Sequence, residues 1–179
     1  MGVLNVIKVV CMGDSITEGF GVEPSESYPS VLQNLLGEEY RVVNKGVCCT
    51  TTLNVENEKG IMGMPYMREA RYKEALQEKG NIYVVLLGTN DAQDGMDDTQ
   101  DFKYEQNDMI SRKADFVPCY RQILQAVKAA SPGAVIYAGL PIPVQNCIWR
   151  KHQESYLKEI RACIKAVSYT HLTLPTTSR

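Results

Sequence analysis

Four short apolar stretches, residues 6–12, 40–44, 82–87 and 134–140, stand out along the chain. They are rich in Val, Ile and Tyr and nearly continuous rather than alternating, the pattern of parallel strands covered on both faces. Helical spacing governs four other segments. Residues 28–36 carry Val31, Leu32, Leu35 and Leu36, and residues 67–79 are charged with one apolar stripe. Residues 115–130 carry Val117, Tyr120, Ile123, Leu124 and Val127, and Ser131-Pro132-Gly133 stops them. Residues 154–167 place Leu157, Ile160, Ile164 and Val167 on one face. Strands alternating with helices predict one α/β layered domain with a mainly parallel sheet. In such sheets ligands bind outside the carboxyl ends of the strands.

Three of those ends carry unusual loops. Gly13-Asp14-Ser15-Ile16-Thr17-Glu18-Gly19 follows the first apolar run and holds a serine hydroxyl between glycines. Asn44-Lys45-Gly46 follows the second, and Gly88-Thr89-Asn90-Asp91 the third. An ester-cleaving serine needs a presented hydroxyl, a base, and donors for the oxyanion that forms. Ser15 is the candidate nucleophile. Gly46 offers an N–H with no side chain in the way, and Asn90 offers a neutral amide donor. Each motif alone is a common turn or cap; their order, each at a strand end, gives them weight. A phosphate-binding reading of the first loop fails, because Gly13, Gly19 and Gly21 fit neither G-x-G-x-x-G nor the P-loop spacing.

Composition narrows the classes. The 179 residues are 44% hydrophobic and 22% charged, ordinary for a globular domain with a sizeable core. A net charge of -2 gives no electrostatic case for nucleic acid or an anionic membrane. No apolar run approaches the ~20 residues of a membrane span. The amino terminus lacks a basic stretch before a long apolar one, and Val6 stands where myristoylation needs Ser or Thr. A cytoplasmic location is the expectation. Six cysteines are scattered with no C-x-x-C pair. Cys11, Cys119 and Cys163 fit as small core residues. Vicinal Cys48-Cys49 has only Lys45 nearby to favour a thiolate. The acidic residues 91–101 fit a solvated loop better than a calcium loop, because Ala92 falls at a ligand position relative to Gly95.

With the three loops in view, the chain resembles the SGNH (GDSL) hydrolases, a family of serine esterases and acylhydrolases. The first block is Gly13–Gly19, the second Asn44-Lys45-Gly46, the third Gly88-Thr89-Asn90-Asp91, and the likeness runs over roughly residues 6–165. It implies a flavodoxin-like three-layer α/β/α fold with Ser15 as nucleophile. It also implies an oxyanion hole formed by the Ser15 N–H, the Gly46 N–H and the Asn90 side chain, with no metal or organic cofactor. Phe20-Gly21-Val22, Tyr28-Pro29 and Thr50-Thr51-Thr52-Leu53 look most like the branch of carbohydrate acetylesterases and lysophospholipase-like esterases. Cys48-Cys49 replaces the small Ser-Gly or Ser-Ala pair expected there. Pocket walls are expected from residues 47–66, 92–112 and 140–149, where Tyr66, Tyr104 and Trp149 could stack on a sugar. Their mixed composition favours a small acyl group, acetyl first, on a polar alcohol. The alternatives are a lipid acylhydrolase or thioesterase, and a non-catalytic binding module of the same fold.

The family's fourth element, a late Asp-x-x-His that activates the serine, is not in this sequence. There are two histidines; Trp149 stands three residues before His152 and Ser168 three before His171. His152 fits an exposed histidine at the start of a polar helix. Residues 168–179 change composition abruptly, turn Thr-rich, and resemble translated sequencing-adaptor read-through. The expectation is therefore an incomplete SGNH domain over residues 1–167 and a non-native tail over 168–179, with no helix continuing into it. On that expectation the last strand and helix, with the Asp-x-x-His loop, are missing, and ester cleavage is impaired.

Overall fold

The first apolar run forms β1, Ile7–Gly13, the centre of a parallel sheet. On one side it pairs with β2, Tyr40–Gly46, and on the other with β5, Ile82–Leu86, which in turn pairs with β6, Val135–Ala138. The computed structural model describes residues 5–55, 64–92, 114–143 and 153–171. The register sets Gly13 opposite both Gly46 and Leu86, so three strands end at one level. A second small sheet pairs β3, Thr50–Thr51, with β4, Met64–Pro65; two-residue strands leave no pattern in a sequence.

One face of the sheet, Val10, Met12, Tyr83, Val85 and Ile136, packs on α3 (Ala70–Gln77), α4 (Phe116–Ala130) and α5 (Gln153–His171). The α4 stripe Tyr120, Ile123, Leu124 and Val127 and the α5 stripe Leu157, Ile160, Ile164 and Val167 are buried there, as their spacing predicts. On the opposite face lie a one-turn helix α1, Ser15–Glu18, and α2, Tyr28–Leu36. The Tyr28 hydroxyl reaches the buried Cys11 thiol on that face. This is an α/β fold with helices flanking a parallel sheet.

Several expectations need adjusting. The charged segment predicted over 67–79 is split: Tyr66–Arg68 is a 3₁₀ turn, Glu69 is extended (φ −70°, ψ 149°), and α3 starts only at Ala70. Val31 and Leu35 of α2 are exposed, Leu35 by 79%. Helix α5 does not stop at Val167 but runs through His171. Ser168 fits inside it because its hydroxyl donates to the Ile164 carbonyl at 2.8 Å.

Candidate active site

The first loop, Gly13–Gly19, is held by close approaches. A Cβ on Gly13 would lie 2.0 Å from the Thr17 hydroxyl oxygen and 2.4 Å from the Leu86 carbonyl oxygen, so only glycine lets α1 turn this tightly off β1. Asp14 is the N-cap, its Oδ1 accepting the Ile16 N–H at 3.0 Å. Gly19, left-handed at φ 91°, ends the helix after one turn. The N–H groups of Gly19 and Phe20 both donate to the Ser15 carbonyl, at 2.9 and 3.0 Å. Ser15 therefore stands at the head of α1, half-buried, and its hydroxyl makes no hydrogen bond among the described residues. Its N–H lies in the first turn, ahead of the intrahelical ladder.

The second loop is tied to the first. Val47 N–H donates to the Gly13 carbonyl at 3.0 Å, and Cys48 N–H to Glu18 Oε2 at 2.9 Å. Asn44 Nδ2 donates to the Thr17 carbonyl at 2.8 Å while its Oδ1 accepts the Gly46 N–H at 2.9 Å. The Gly46 N–H, expected to face a ligand, is thus engaged by Asn44. Glycine is required here for a different reason: a Cβ would lie 2.1 Å from Glu18 N, in the backbone of α1.

The third loop closes on the second. Asn90, in a 3₁₀ turn spanning Asn90–Ala92, donates its Nδ2 to the Thr50 carbonyl at 2.8 Å. Asp91 accepts the Thr52 and Leu53 N–H groups, one on each carboxylate oxygen, both at 2.9 Å. At 1% exposure Asp91 is not part of a solvated acidic loop; residues 93–101 of that segment lie outside the described residues. Burial averaged over an acidic stretch hides one inward carboxylate, and the bonded partners are 38 and 39 residues away.

Two buried carboxylates therefore lie at the strand ends, Asp14 within the first loop and Asp91 in the third. Burial pushes Asp14 up to about 6 against the pull of the Ile16 N–H and the Thr89 hydroxyl. Burial likewise pushes Asp91 up to about 6, the Thr52 and Leu53 N–H groups opposing it and the Asp14 charge adding to it. No cation pairs with either among the described residues.

Other candidates fall differently. Tyr66 is fully buried, its hydroxyl donating to the Lys45 carbonyl at 2.7 Å, so it packs rather than offering a ring to a sugar. Lys45 Nζ is drawn to Glu74 and Glu78, at 3.0 and 3.2 Å, and not to the cysteine pair. Cys48 is pushed up to about 12, by burial first and then by the Cys49 sulfur and Glu18. Cys49 has φ 63°, a left-handed conformation that suits the glycine expected at this pair. Tyr104, Trp149 and His152 lie outside the described residues, as does the His171 side chain. Among the described residues no three His, Cys, Asp or Glu are grouped to hold a metal ion, and no helix is long and apolar enough to cross a membrane.

Comparison with known proteins bears on this arrangement. An acetylxylan esterase of Xylanibacter ruminicola is 35% identical over 162 residues, which are 87% of this chain and 32% of the relative. The chain thus spans about a third of that curated relative's length. Among solved structures, AlinE4, an SGNH-hydrolase family esterase, superposes with a TM-score of 0.62 at 20% identity, over 96% of this chain and 74% of that one. A catalytic mutant of Axe2, an acetylxylan esterase from Geobacillus stearothermophilus, does so with a TM-score of 0.62 at 18% identity, over 95% of this chain and 75% of that one. These structural likenesses establish the fold. The sequence model of the GDSL-like lipase/acylhydrolase family matches residues 11–172, from within β1 to just past α5 and across all three loops. The chain belongs to the GDSL-like lipase/acylhydrolase family of SGNH hydrolases.

Proposed function

We propose that this chain hydrolyses carboxylic esters, removing a small acyl group, acetyl first, from a carbohydrate or similar polar alcohol. Ser15 attacks the acyl carbonyl. The Ser15 N–H and the Asn90 amide stabilise the oxyanion, and water then releases the acid. The observation that carries the reading is the placement of Ser15 at the head of α1, where the register levels the ends of β1, β2 and β5 and Asn90 closes on the second loop. The 35% identity to an acetylxylan esterase favours acetyl on a sugar as the substrate. Gly46 is the third donor candidate; its N–H would have to leave Asn44 Oδ1 to serve.

The base is the open position. Without one, a serine hydroxyl is a weak nucleophile and the rate falls by orders of magnitude. Initial rates on p-nitrophenyl acetate, an acetylated xylo-oligosaccharide and a long-chain p-nitrophenyl ester, each with a Ser15→Ala control, test the proposal. The expected result is a Ser15-dependent component, largest on the acetyl esters, that rises with added imidazole. A Ser15-dependent rate indifferent to imidazole would assign the base to one of the chain's own histidines. Preference for the long chain would favour a lipid acylhydrolase. No Ser15-dependent component at any imidazole concentration would favour a binding module and overturn the proposal.

A further inference from the structure

The second loop holds a feature that the ester-cleaving reading does not use. Cys48 and Cys49 place their sulfurs 3.3 Å apart, and both side chains are half-buried rather than sealed in the core. Cys49 keeps a left-handed backbone at φ 63°, a conformation that strains a non-glycine residue. The loop around the pair is fixed on both sides, by Glu18 Oε2 accepting the Cys48 N–H and by Asn90 donating to the Thr50 carbonyl. Two sulfurs are thus presented together from a fixed backbone. Cys11, by contrast, is fully buried.

We propose that Cys48 and Cys49 form a two-sulfur site for a trivalent thiophile of the monosubstituted arsenical class, bridged through a single atom. The spacing separates this from a disulfide. A direct S–S bond needs about 2.05 Å, and the Cα atoms it joins are usually about 4.4–6.8 Å apart. Neighbouring residues across a trans peptide are held at about 3.8 Å, so direct closure would have to draw the sulfurs together against the backbone. One bridging atom accepts them near the 3.3 Å at which they stand. Soft sulfur ligands select such soft acceptors. In the reaction each sulfur gains one bond to arsenic, both thiol protons pass to the arsenical oxygen, and that oxygen leaves as water. Nothing is oxidised or reduced. Burial, the Cys49 sulfur and Glu18 push the Cys48 thiol up, and the arsenical reaction takes its proton away with the departing oxygen.

The test is phenylarsine oxide added to the reduced protein after the reductant is removed. One phenylarsenic per chain is expected by intact mass, with two thiols lost from titration. The adduct should survive excess monothiol and be released by a dithiol. Peptide mapping of the unmutated protein should place it on the segment holding Cys48 and Cys49. Closing the second bond within one loop is worth about a hundredfold or more in affinity, so Cys48→Ser and Cys49→Ser should each weaken retention by at least that factor, and Cys147→Ser should not. Undiminished retention in either single variant would overturn the site, as would mapping elsewhere or an adduct stripped by monothiol. Loss of two hydrogens at this peptide without arsenic uptake would show a vicinal disulfide and refute the spacing argument.

Discussion

Replacing Asp14 with Asn should change stability in a way that depends on pH. Asp14 is fully buried and its carboxyl is pushed from 3.8 up to about 6, chiefly by burial. A carboxyl whose folded pKa is raised binds its proton more tightly in the folded state. Its favourable contribution is complete below the unfolded value and is lost as pH rises through the folded one. The rise from 3.8 to about 6 corresponds to about 3 kcal/mol lost once pH is well above 6, of which about 2 kcal/mol disappears between about pH 4.5 and about pH 8. Asn caps a helix as well as Asp does, so the Ile16 N–H keeps its acceptor. Asp14→Asn should therefore gain about 2 kcal/mol on the native protein at about pH 8 relative to about pH 4.5. For a chain of this size that is roughly 4–8 °C in Tm. Urea unfolding of both proteins at the two pH values measures it. Taking the difference cancels carboxylates away from Asp14, including Glu78, which Lys8 lowers and which acts in the opposite sense; Asp91, raised in part by the Asp14 charge, does not cancel and adds to the gain in the same direction. The same stability difference at both pH values, or a larger deficit at high pH, would refute the argument that a buried, unpaired charge sits at Asp14.

Two further substitutions test the loops. Gly46→Ala drives a Cβ into the α1 backbone, 2.1 Å from Glu18 N, and should destabilise by about 1–3 kcal/mol or more; a thermal melt unchanged within about a degree would show that α1 yields without cost. Asn90→Ala removes the proposed oxyanion donor and should lower the Ser15-dependent kcat by about 10²–10³. It also strips the Thr50 carbonyl of its donor, for a further stability loss of about 1 kcal/mol.

The sheet was legible in the sequence because each strand carries a nearly continuous apolar run, although only β1 is buried along both faces, while β6 leaves Val135 and Tyr137 exposed. Helix α2 was legible because Val31, Leu32, Leu35 and Leu36 recur at helical spacing, and its bounds agree with Pro29 in the first turn and Gly37 at the end. The three loops were legible as a group because each follows a strand, and the register does level the strand ends. What could not be read is how the loops are fastened. The Asn44 side chain taking the Gly46 N–H, and Asp91 spanning two N–H groups nearly forty residues away, depend on tertiary neighbours that no local pattern encodes. Glu69 is similar: its neighbours have helical character, yet it is extended, splitting one predicted helix into a turn and α3.

The fastening also explains where the molecule gives up stability. An edge of the sheet shows a different arrangement: Gln33 accepts the Val42 N–H at 2.7 Å and donates to the Tyr40 carbonyl at 3.0 Å, while Arg71 donates to the Asn44 carbonyl at 3.1 Å, so a neutral amide and a solvent-exposed guanidinium cover the open side of β2. The three loops could have been tied in the same way, with amides in place of carboxylates. Instead two carboxylates are buried beside one another without a cation among the described residues, each raised to about 6. Only an anion accepts two N–H groups on separate oxygens, as Asp91 does, with nothing left to donate; an amide would turn its N–H₂ toward one of them. The geometry of the second loop thus demands a carboxylate at Asp91, and the electrostatic cost is concentrated within one loop of Ser15. That places the least comfortable charges of the described structure at the proposed centre of its chemistry.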